Sequence, residues 1–470
     1  MTYDVIAIGA GTAGLTVAKL SAKAGKRVLL VERDRPGGDC LWTGCVPTKA
    51  IIECARRLHE AKTSQAFGVT ADSVRFDFQK VRERITESQT MAGEIDSPET
   101  IRSHGIEFAT GTVSFVDPHT ISIDGRRESG RHIVIATGGE PALPPIPGLA
   151  ACGPDTNVQA VAWEELPRSL AVIGGGPIGI EFAQALNRLG VAVTVFEVAG
   201  RILEREEPQA SELLTRVLRE EGVTIHTGVR IAEVSMAGGQ RAISYTADDG
   251  VMATVRADRV LVAAGRRPEV ASLQLENAGV SASAKGITVD GALRTSQPHI
   301  FAAGDVTGGL QFTHVAEDQG RFVANYLKAG ALARRGRTWN GRVVPRVTYT
   351  DPEVGSVGLT EQEARATHER VRVWDISLRE VDRAIIVRRT DGYIRLITAR
   401  GWHRWIPGAS RLAGDEIVGV SIVAPHAGEL LMPVVTAMRT RLPVGLVAWN
   451  MQAYPTLSLG VRQAAGLPFS

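Results

Sequence analysis

Cysteine is scarce in this chain: four residues in 470, at positions 40, 45, 54 and 152, are far too few for a secreted scaffold held together by disulfides. Long apolar runs are missing too. None approaches the roughly 18 uninterrupted residues of a membrane span, so no membrane partner is expected. Nor does charge of one sign accumulate. The 53 Lys and Arg against 51 Asp and Glu leave a net charge of +2, and the basic residues are scattered, which argues against nucleic acid as a partner. Met1 runs straight into the apolar stretch Tyr3 to Ile8, with no room for a charged leader and cleavage site, so cytoplasmic residence is the expectation. At about 150 residues per domain, the length implies about three domains.

Glycine is abundant, with 50 residues, and two groups of them repeat one pattern. Asp4 to Ile8 reads as a strand, followed by Gly9, Gly11 and Gly14 around Thr12 and Ala13, a helix through Ala24, and a strand from Arg27 to Val31 ending at Glu32. The same order recurs from Leu170 to Ile173: Gly174, Gly176 and Gly179 around Pro177 and Ile178, a helix through Leu189, and a strand Val191 to Phe196 ending at Glu197. In G-x-G-x-x-G the first glycine makes a tight turn, the second admits a pyrophosphate, and the third lets helix and strand pack closely. The helix N-terminus then faces the phosphates and the terminal acid takes ribose hydroxyls. Two copies in the same register predict two dinucleotide sites.

Between and beyond the copies, Val81 to His104 reads as one polar helix, Ile106 to Ala136 as short strands, and Pro141 to Gly148 as a linker. From Val343 the pattern changes to strands near 343–349, 371–376, 393–398 and 416–423 with a helix from Ala427 to Arg439, an α+β arrangement. Trp402, His403 and Trp405 read as a surface loop.

The segment from Gly37 to Lys49 holds Cys40 and Cys45 with no Cys or His cluster of ligand spacing nearby, so no zinc site, and no other metal site, is expected. A redox disulfide is the better reading, with an inert buried pair as the alternative. Cys45 precedes a helix expected over Pro47 to Leu58, where the macrodipole favours a thiolate. Cys54 and Cys152 read as ordinary small residues.

The two fingerprints, the Cys-x4-Cys-Val-Pro-Thr-Lys stretch, Ala136 to Gly139, Ala263 to Pro268, Phe301 to Asp305 and Tyr349 to Leu359 together resemble the FAD-dependent pyridine nucleotide disulfide oxidoreductases, which include dihydrolipoamide dehydrogenase, glutathione reductase and mercuric reductase. The resemblance covers nearly the whole chain and is strongest to the mercuric-reductase-like and dihydrolipoamide-dehydrogenase-like branches. It implies an α/β fold with two Rossmann-like dinucleotide-binding domains, for FAD (1–150 and 280–340) and NAD(P) (151–279), plus a C-terminal α+β interface domain (341–470) through which a homodimer forms. It implies that the first fingerprint and Glu32 hold the adenosine half of FAD and Asp305 its flavin side. The second fingerprint and Glu197 would hold the nicotinamide cofactor. Arg33, Gly38, Asp39, Gly111, Thr112, Val113, Ala136, Thr137, Gly138, Gly265, Arg266, Gly304, Phe312, Thr313 and Ala316 complete the cofactor-binding set. Lys49, paired with Glu181, would lie by the flavin. His314 would be either flavin-proximal or a packing residue at a helix start. No Arg directly follows Glu197, which favours NADH over NADPH, although Arg201 is within reach of a 2'-phosphate.

One departure stands out. Where the family's disulfide reductases carry a proton-transferring His before Pro-Thr, this chain has Tyr454, and Leu459 stands in place of the acidic partner; Gln452 supplies no substitute. A tyrosine, with a reference pKa near 10, is poorly matched to proton transfer at neutral pH, against about 6.5 for His. With Cys40, Cys45, Lys49 and Glu181, Tyr454 completes the candidate catalytic set, as a hydrogen-bond donor or as a packing residue between subunits. The expectation is an enzyme moving electrons from NAD(P)H to the cysteine pair and on to a small-molecule acceptor: a small disulfide, a metal ion or a quinone. The alternatives are a slow redox-sensing flavoprotein and dihydrolipoamide dehydrogenase itself.

Overall fold

The computed structural model describes residues 2–70, 73–247, 250–401 and 414–469. The loop of Trp402, His403 and Trp405 lies outside them. Strand Thr2–Ile8 reads as an almost continuous apolar run because it is covered on both faces, at the centre of a parallel sheet. Its neighbours are Val28–Glu32, flanked by Glu107–Thr110, and on the other side Arg126–Ile135. The last of these is long enough to serve twice: its first half pairs antiparallel with Thr120–Ile123, and its second half pairs in parallel with Ile300–Ala302. That late strand carries Gly304 and Asp305 to the carboxyl edge of the first sheet, beside Ala136, whose N–H donates to Ile8 at 2.8 Å.

The second sheet repeats the plan. Thr224–His226, Ala192–Phe196, Ser169–Ile173 and Arg259–Val262 are parallel throughout, with helix Pro177–Arg188 rising from the second glycine turn. In such sheets ligands lie outside the carboxyl ends of the strands. The third sheet is antiparallel, in the order Pro345–Thr348, Glu353–Gly358, Glu416–Ala424, Tyr393–Ala399, Arg372–Ser377, and packs against Met432–Thr440 and Ser458–Gly466.

Two predicted helices are broken. The one over Val81 to His104 is Phe78–Gly93, a short 3-10 turn, and Pro98–Ser103; Pro98 lacks the N–H to continue a helix, and Ser97 restarts it by accepting from Thr100 N–H at 3.2 Å. The one over Ala427 to Arg439 is Ala427–Leu430 and Met432–Thr440, restarted at Pro433 for the same reason. The helix expected over Pro47 to Leu58 runs Cys45–Thr63, so it begins on the cysteine itself.

One face of helix Pro177–Arg188 carries polar residues where an apolar stripe would be ordinary. Glu181, Gln184 and Arg188, at helical spacing, are 5%, 3% and 8% exposed, and all three bond to one segment ahead of the third sheet's second strand. Glu181 accepts from Tyr349 N–H at 2.8 Å, Gln184 exchanges two 2.8 Å bonds with the backbone of Asp351, and Arg188 donates to the Asp351 carboxylate at 3.0 Å and to Glu221 at 2.6 and 2.8 Å. Burial alone would raise the Asp351 pKa; Arg188 and Arg389 more than offset this and hold it below its ordinary value. Removing Arg188 leaves two carboxylates without their buried partner. Arg188→Leu is expected to cost about 3 kcal/mol or more at neutral pH, read as a lowered unfolding midpoint. Because the Asp351 carboxyl is depressed on folding, its share of the effect is present above its ordinary value of 3.8 and fades as the pH falls below it.

Candidate active site

The two glycine turns are built alike, atom by atom. Gly9 and Gly174 have φ of +99° and +115°, and a Cβ on either would lie 2.4 Å from the Ala136 carbonyl oxygen or 2.5 Å from that of Ala263. A Cβ on Gly14 or Gly179 would lie 1.9 or 2.0 Å from the carbonyl oxygen of the first glycine of its own turn. Both turns therefore keep backbone and helix in a contact that only glycine permits. The terminal acids also match. Glu32 accepts from Ala10 N–H at 2.7 Å and Asp34 N–H at 3.0 Å, and Glu197 accepts from Gly175 N–H at 2.5 Å and Ala199 N–H at 2.7 Å. Each carboxylate is fixed at the lip of its turn by two backbone donors.

Both turns open into one cavity of about 2440 Å³, well beyond the roughly 300–1,000 Å³ of a single small-molecule site. It has room for two dinucleotides end to end. Its wall contains every cofactor-binding residue named from the sequence except Gly14 and Gly179, which serve the packing behind the turns, and it contains Cys40, Cys45, Lys49 and Glu181 as well. Arg266 spans its centre, binding Asp39, the Gly139 carbonyl and, at 3.2 Å, Asp305. Burial raises the Asp305 pKa, with the Arg266 charge acting against it. Arg33 pairs with Glu269 at 3.2 Å, Gly111 N–H donates to the Glu32 carbonyl, and Thr137 donates to the Glu269 carbonyl at 2.6 Å. The glycine cradles, the unobstructed helix starts and the fixed carboxylates fit a dinucleotide at each turn.

Cys40 lies on the short helix Gly38–Trp42 and Cys45 is the first residue of helix Cys45–Thr63. The loop between them is tightly held. Gly44 N–H and Thr43 N–H donate to the Asp39 carbonyl, Gln89 donates to the Trp42 carbonyl at 2.7 Å and Asn157 donates to that of Thr43 at 2.8 Å. The two thiols are neighbours, and each acts on the other's proton. Their environments push them apart. The bond from Cys40, the Thr313 hydroxyl at 3.6 Å and the Lys49 charge bring Cys45 down to about 6 against its burial, whereas the same bond and burial push Cys40 up. Gly44 has no side chain to cap the helix, so its start also faces Cys45.

Lys49 Nζ donates to Glu181 at 2.7 Å and lies 4.7 Å from the Tyr349 ring centroid. Burial alone would lower the Lys49 pKa; Glu181 reverses this and raises it, so Lys49 keeps its charge. His314 stacks on Phe312, with centroids 5.3 Å apart, and burial lowers its pKa. Cys54 is half-buried against the core, and Cys152 is buried and donates to the Val234 carbonyl at 3.5 Å. Tyr454 is not brought to this cavity within one chain. It is 70% exposed and donates to Asp382 at 3.0 Å, a bond that raises its pKa. Sequence reasoning missed the part of the wall made by Pro345–Thr348, with Arg346 and Val347, because nothing local marks a strand as facing a cavity built from residues far away in the chain.

With Cys45 depressed and Cys40 raised, alkylation of the reduced protein is expected to strike Cys45 first. Its rate should follow the thiolate, at a plateau above about pH 7 and falling through a midpoint near 6. Lys49→Met removes a charge that lowers this pKa, so it should move the midpoint upward. Iodoacetamide labelling against pH, with mass mapping of the labelled peptide, checks both.

Residues 3–320 match the family described as pyridine nucleotide-disulphide oxidoreductase, and residues 344–465 match its dimerisation domain. The chain is 32% identical to a dihydrolipoyl dehydrogenase of Bacillus subtilis over 97% of its own length and 96% of that protein's. It is 32% identical to a mercuric reductase of Staphylococcus aureus over 98% and 82%. The solved structure of the HOCl-induced flavoprotein disulfide reductase RclA from Escherichia coli, as its Cu(II) complex, superposes with a TM-score of 0.84 at 28% identity, covering 98% of each chain. Among the described residues no helix is long and apolar enough to cross a membrane. With its two glycine turns, its cysteine pair and its C-terminal sheet all matched, the chain belongs to the FAD-dependent pyridine nucleotide-disulphide oxidoreductases.

Proposed function

We propose that the protein is an NADH-dependent enzyme that keeps Cys40 and Cys45 reduced and spends their electrons on a soft metal ion rather than on a small disulfide. The division into an FAD-binding part (1–150 and 280–340), a nicotinamide-binding part (151–279) and a dimer-forming part (341–470), in a cytoplasmic homodimer, goes with this reading. FAD, when bound, supplies the two-electron link between the nicotinamide and the dithiol. The chain's residues do the rest. Glu32 and Glu197 hold ribose hydroxyls, Gly9, Gly11, Gly174 and Gly176 admit the pyrophosphates, Lys49 and Glu181 fix a positive charge beside the pair, and Cys45 is the sulfur that is ionised at neutral pH.

The observation that carries the choice of acceptor is Tyr454. Reducing a disulfide releases a thiolate that must be protonated, and a residue that exchanges protons near neutrality speeds this. Tyr454 is held as a donor by Asp382, with its pKa raised further from neutrality. A soft metal ion, by contrast, binds two thiolates and accepts electrons without taking a proton. Relatives whose names carry mercury, and a structural neighbour solved with Cu(II), lie in the same direction. The choice of NADH rests on Glu197, whose carboxylate would repel a 2'-phosphate, and on Arg201, whose Nη2 donates to the carbonyls of Glu204 at 2.6 Å and Glu206 at 3.3 Å.

Anaerobic stopped-flow tests this. NADH should reduce the protein at least about tenfold faster than NADPH, the size of one lost charge-assisted contact. Cu(II) or Hg(II) should then reoxidise it quickly and lipoamide slowly. Cys40→Ser and Cys45→Ser should each abolish metal reoxidation, and Tyr454→His should raise lipoamide turnover about tenfold or more. Fast lipoamide turnover by the unaltered protein, or metal reoxidation that survives both serine variants, would overturn the reading.

A further inference from the structure

The cavity has a wall that belongs to neither dinucleotide fold. Strand Pro345–Thr348, the edge of the third sheet, reaches it with Arg346. Arg346 Nε donates to Glu206 Oε1 at 3.1 Å, across the boundary between the second and third sheets. Glu206 is only 7% exposed, and its other oxygen, Oε2, is buried without a hydrogen-bond partner among the described residues. Among the described residues this guanidinium is the cation that forms an ion pair with the buried carboxylate, and the carboxylate in turn fixes the guanidinium by its Nε edge.

The other edge is unused. Arg346 Nη1 and Nη2 make no hydrogen bond among the described residues, and the side chain, 23% exposed, lines the cavity. Arginine offers a rigid fork of donors that matches an oxyanion in two-point contact, and here the fork is held from behind and open in front. Its position is tied to the second glycine turn by two backbone bonds: Glu206 N–H donates to the Leu203 carbonyl at 2.9 Å, and Leu203 N–H donates to the Gly175 carbonyl at 2.9 Å. Gly175 and Gly176 lead directly into helix Pro177–Arg188, whose N-terminus favours phosphate. Of the neighbouring arginines, Arg201 donates through Nη2 to backbone carbonyls, and Arg266 binds Asp39, Asp305 and the Gly139 carbonyl.

We propose that Arg346 binds a phosphate oxygen of the nicotinamide dinucleotide from the interface side of the cleft, with Glu206 as the residue that positions it. This rests on the reading of the second glycine turn as the NADH site and extends it: the nucleotide is gripped by two parts of the chain at once, and its binding joins the second sheet to the third.

ADP-ribose, which carries both riboses and the pyrophosphate but no nicotinamide, isolates this contact when titrated calorimetrically into the FAD-loaded protein. In Arg346→Ala the dissociation constant should rise about tenfold or more, as for loss of a charge-assisted bond, with Arg346→Lys between the two. The KM for NADH should rise with it while kcat at saturating NADH stays within about twofold, a split expected when only binding is lost. Since Arg346→Ala leaves Glu206 buried and unpaired, the double variant Glu206→Gln/Arg346→Met, which leaves no lone charge, should show the same weakening with flavin content unchanged. Wild-type affinity for ADP-ribose in either folded variant overturns the proposal and leaves the NADH site intact. Failure of the unaltered protein to bind ADP-ribose or NADH overturns the site reading and the proposal together.

Discussion

A single carboxylate, that of Glu181, holds together the parts of this molecule that chemistry requires to be adjacent. It rises from the helix of the second glycine turn, receives Lys49 from the helix that begins at Cys45, and receives the Tyr349 amide from the segment that opens the third sheet's second strand. Three sheets meet at one group. A buried charge is tolerated only when paired and hydrogen-bonded, so each of the three parts is bound to its place by the cost of leaving that group unsatisfied. Gln184 and Arg188 extend the arrangement along the same helix face and make the junction polar rather than oily, with directions as well as proximity specified.

The cysteine pair benefits from this fixed geometry. Cys40 does most to lower the Cys45 pKa, and Lys49, held at 2.7 Å by Glu181, adds to it, while the carbonyls of Trp42 and Thr43 in the loop between the cysteines are tied down. Two identical side chains five positions apart thus become unlike: one ionised, one protonated. That difference comes from what surrounds them, and neither sulfur carries it alone.

Much of this was legible in the sequence, for a physical reason. Gly9, Gly14, Gly174 and Gly179 answer to backbone collisions within their own turn, so their spacing is a local record of a local constraint, and Glu32 and Glu197 fold back on the same turns. The Cys40 to Lys49 stretch is equally local. What could not be read is what depends on distant partners. Glu181 is expected to pair with Lys49, but nothing local marks Gln184 and Arg188 as partners of the segment at Asp351, or Arg346 as the partner of Glu206. The breaks at Pro98 and Pro433 were visible as residues, yet the continuous polar and apolar periodicities around them masked what a missing N–H does.

The doubly used strand Arg126–Ile135 has a consequence in time. Its second half stays an open edge until Ile300–Ala302 arrives, and the whole second sheet is synthesised in the interval. During synthesis all strands of the second parallel sheet are therefore made while the first sheet is still one strand short. The edge left waiting is apolar, with Ile133, Val134 and Ile135 fully buried once the sheet closes. For that period this edge has no strand to pair with, and an unpaired apolar edge is one to which other chains can add.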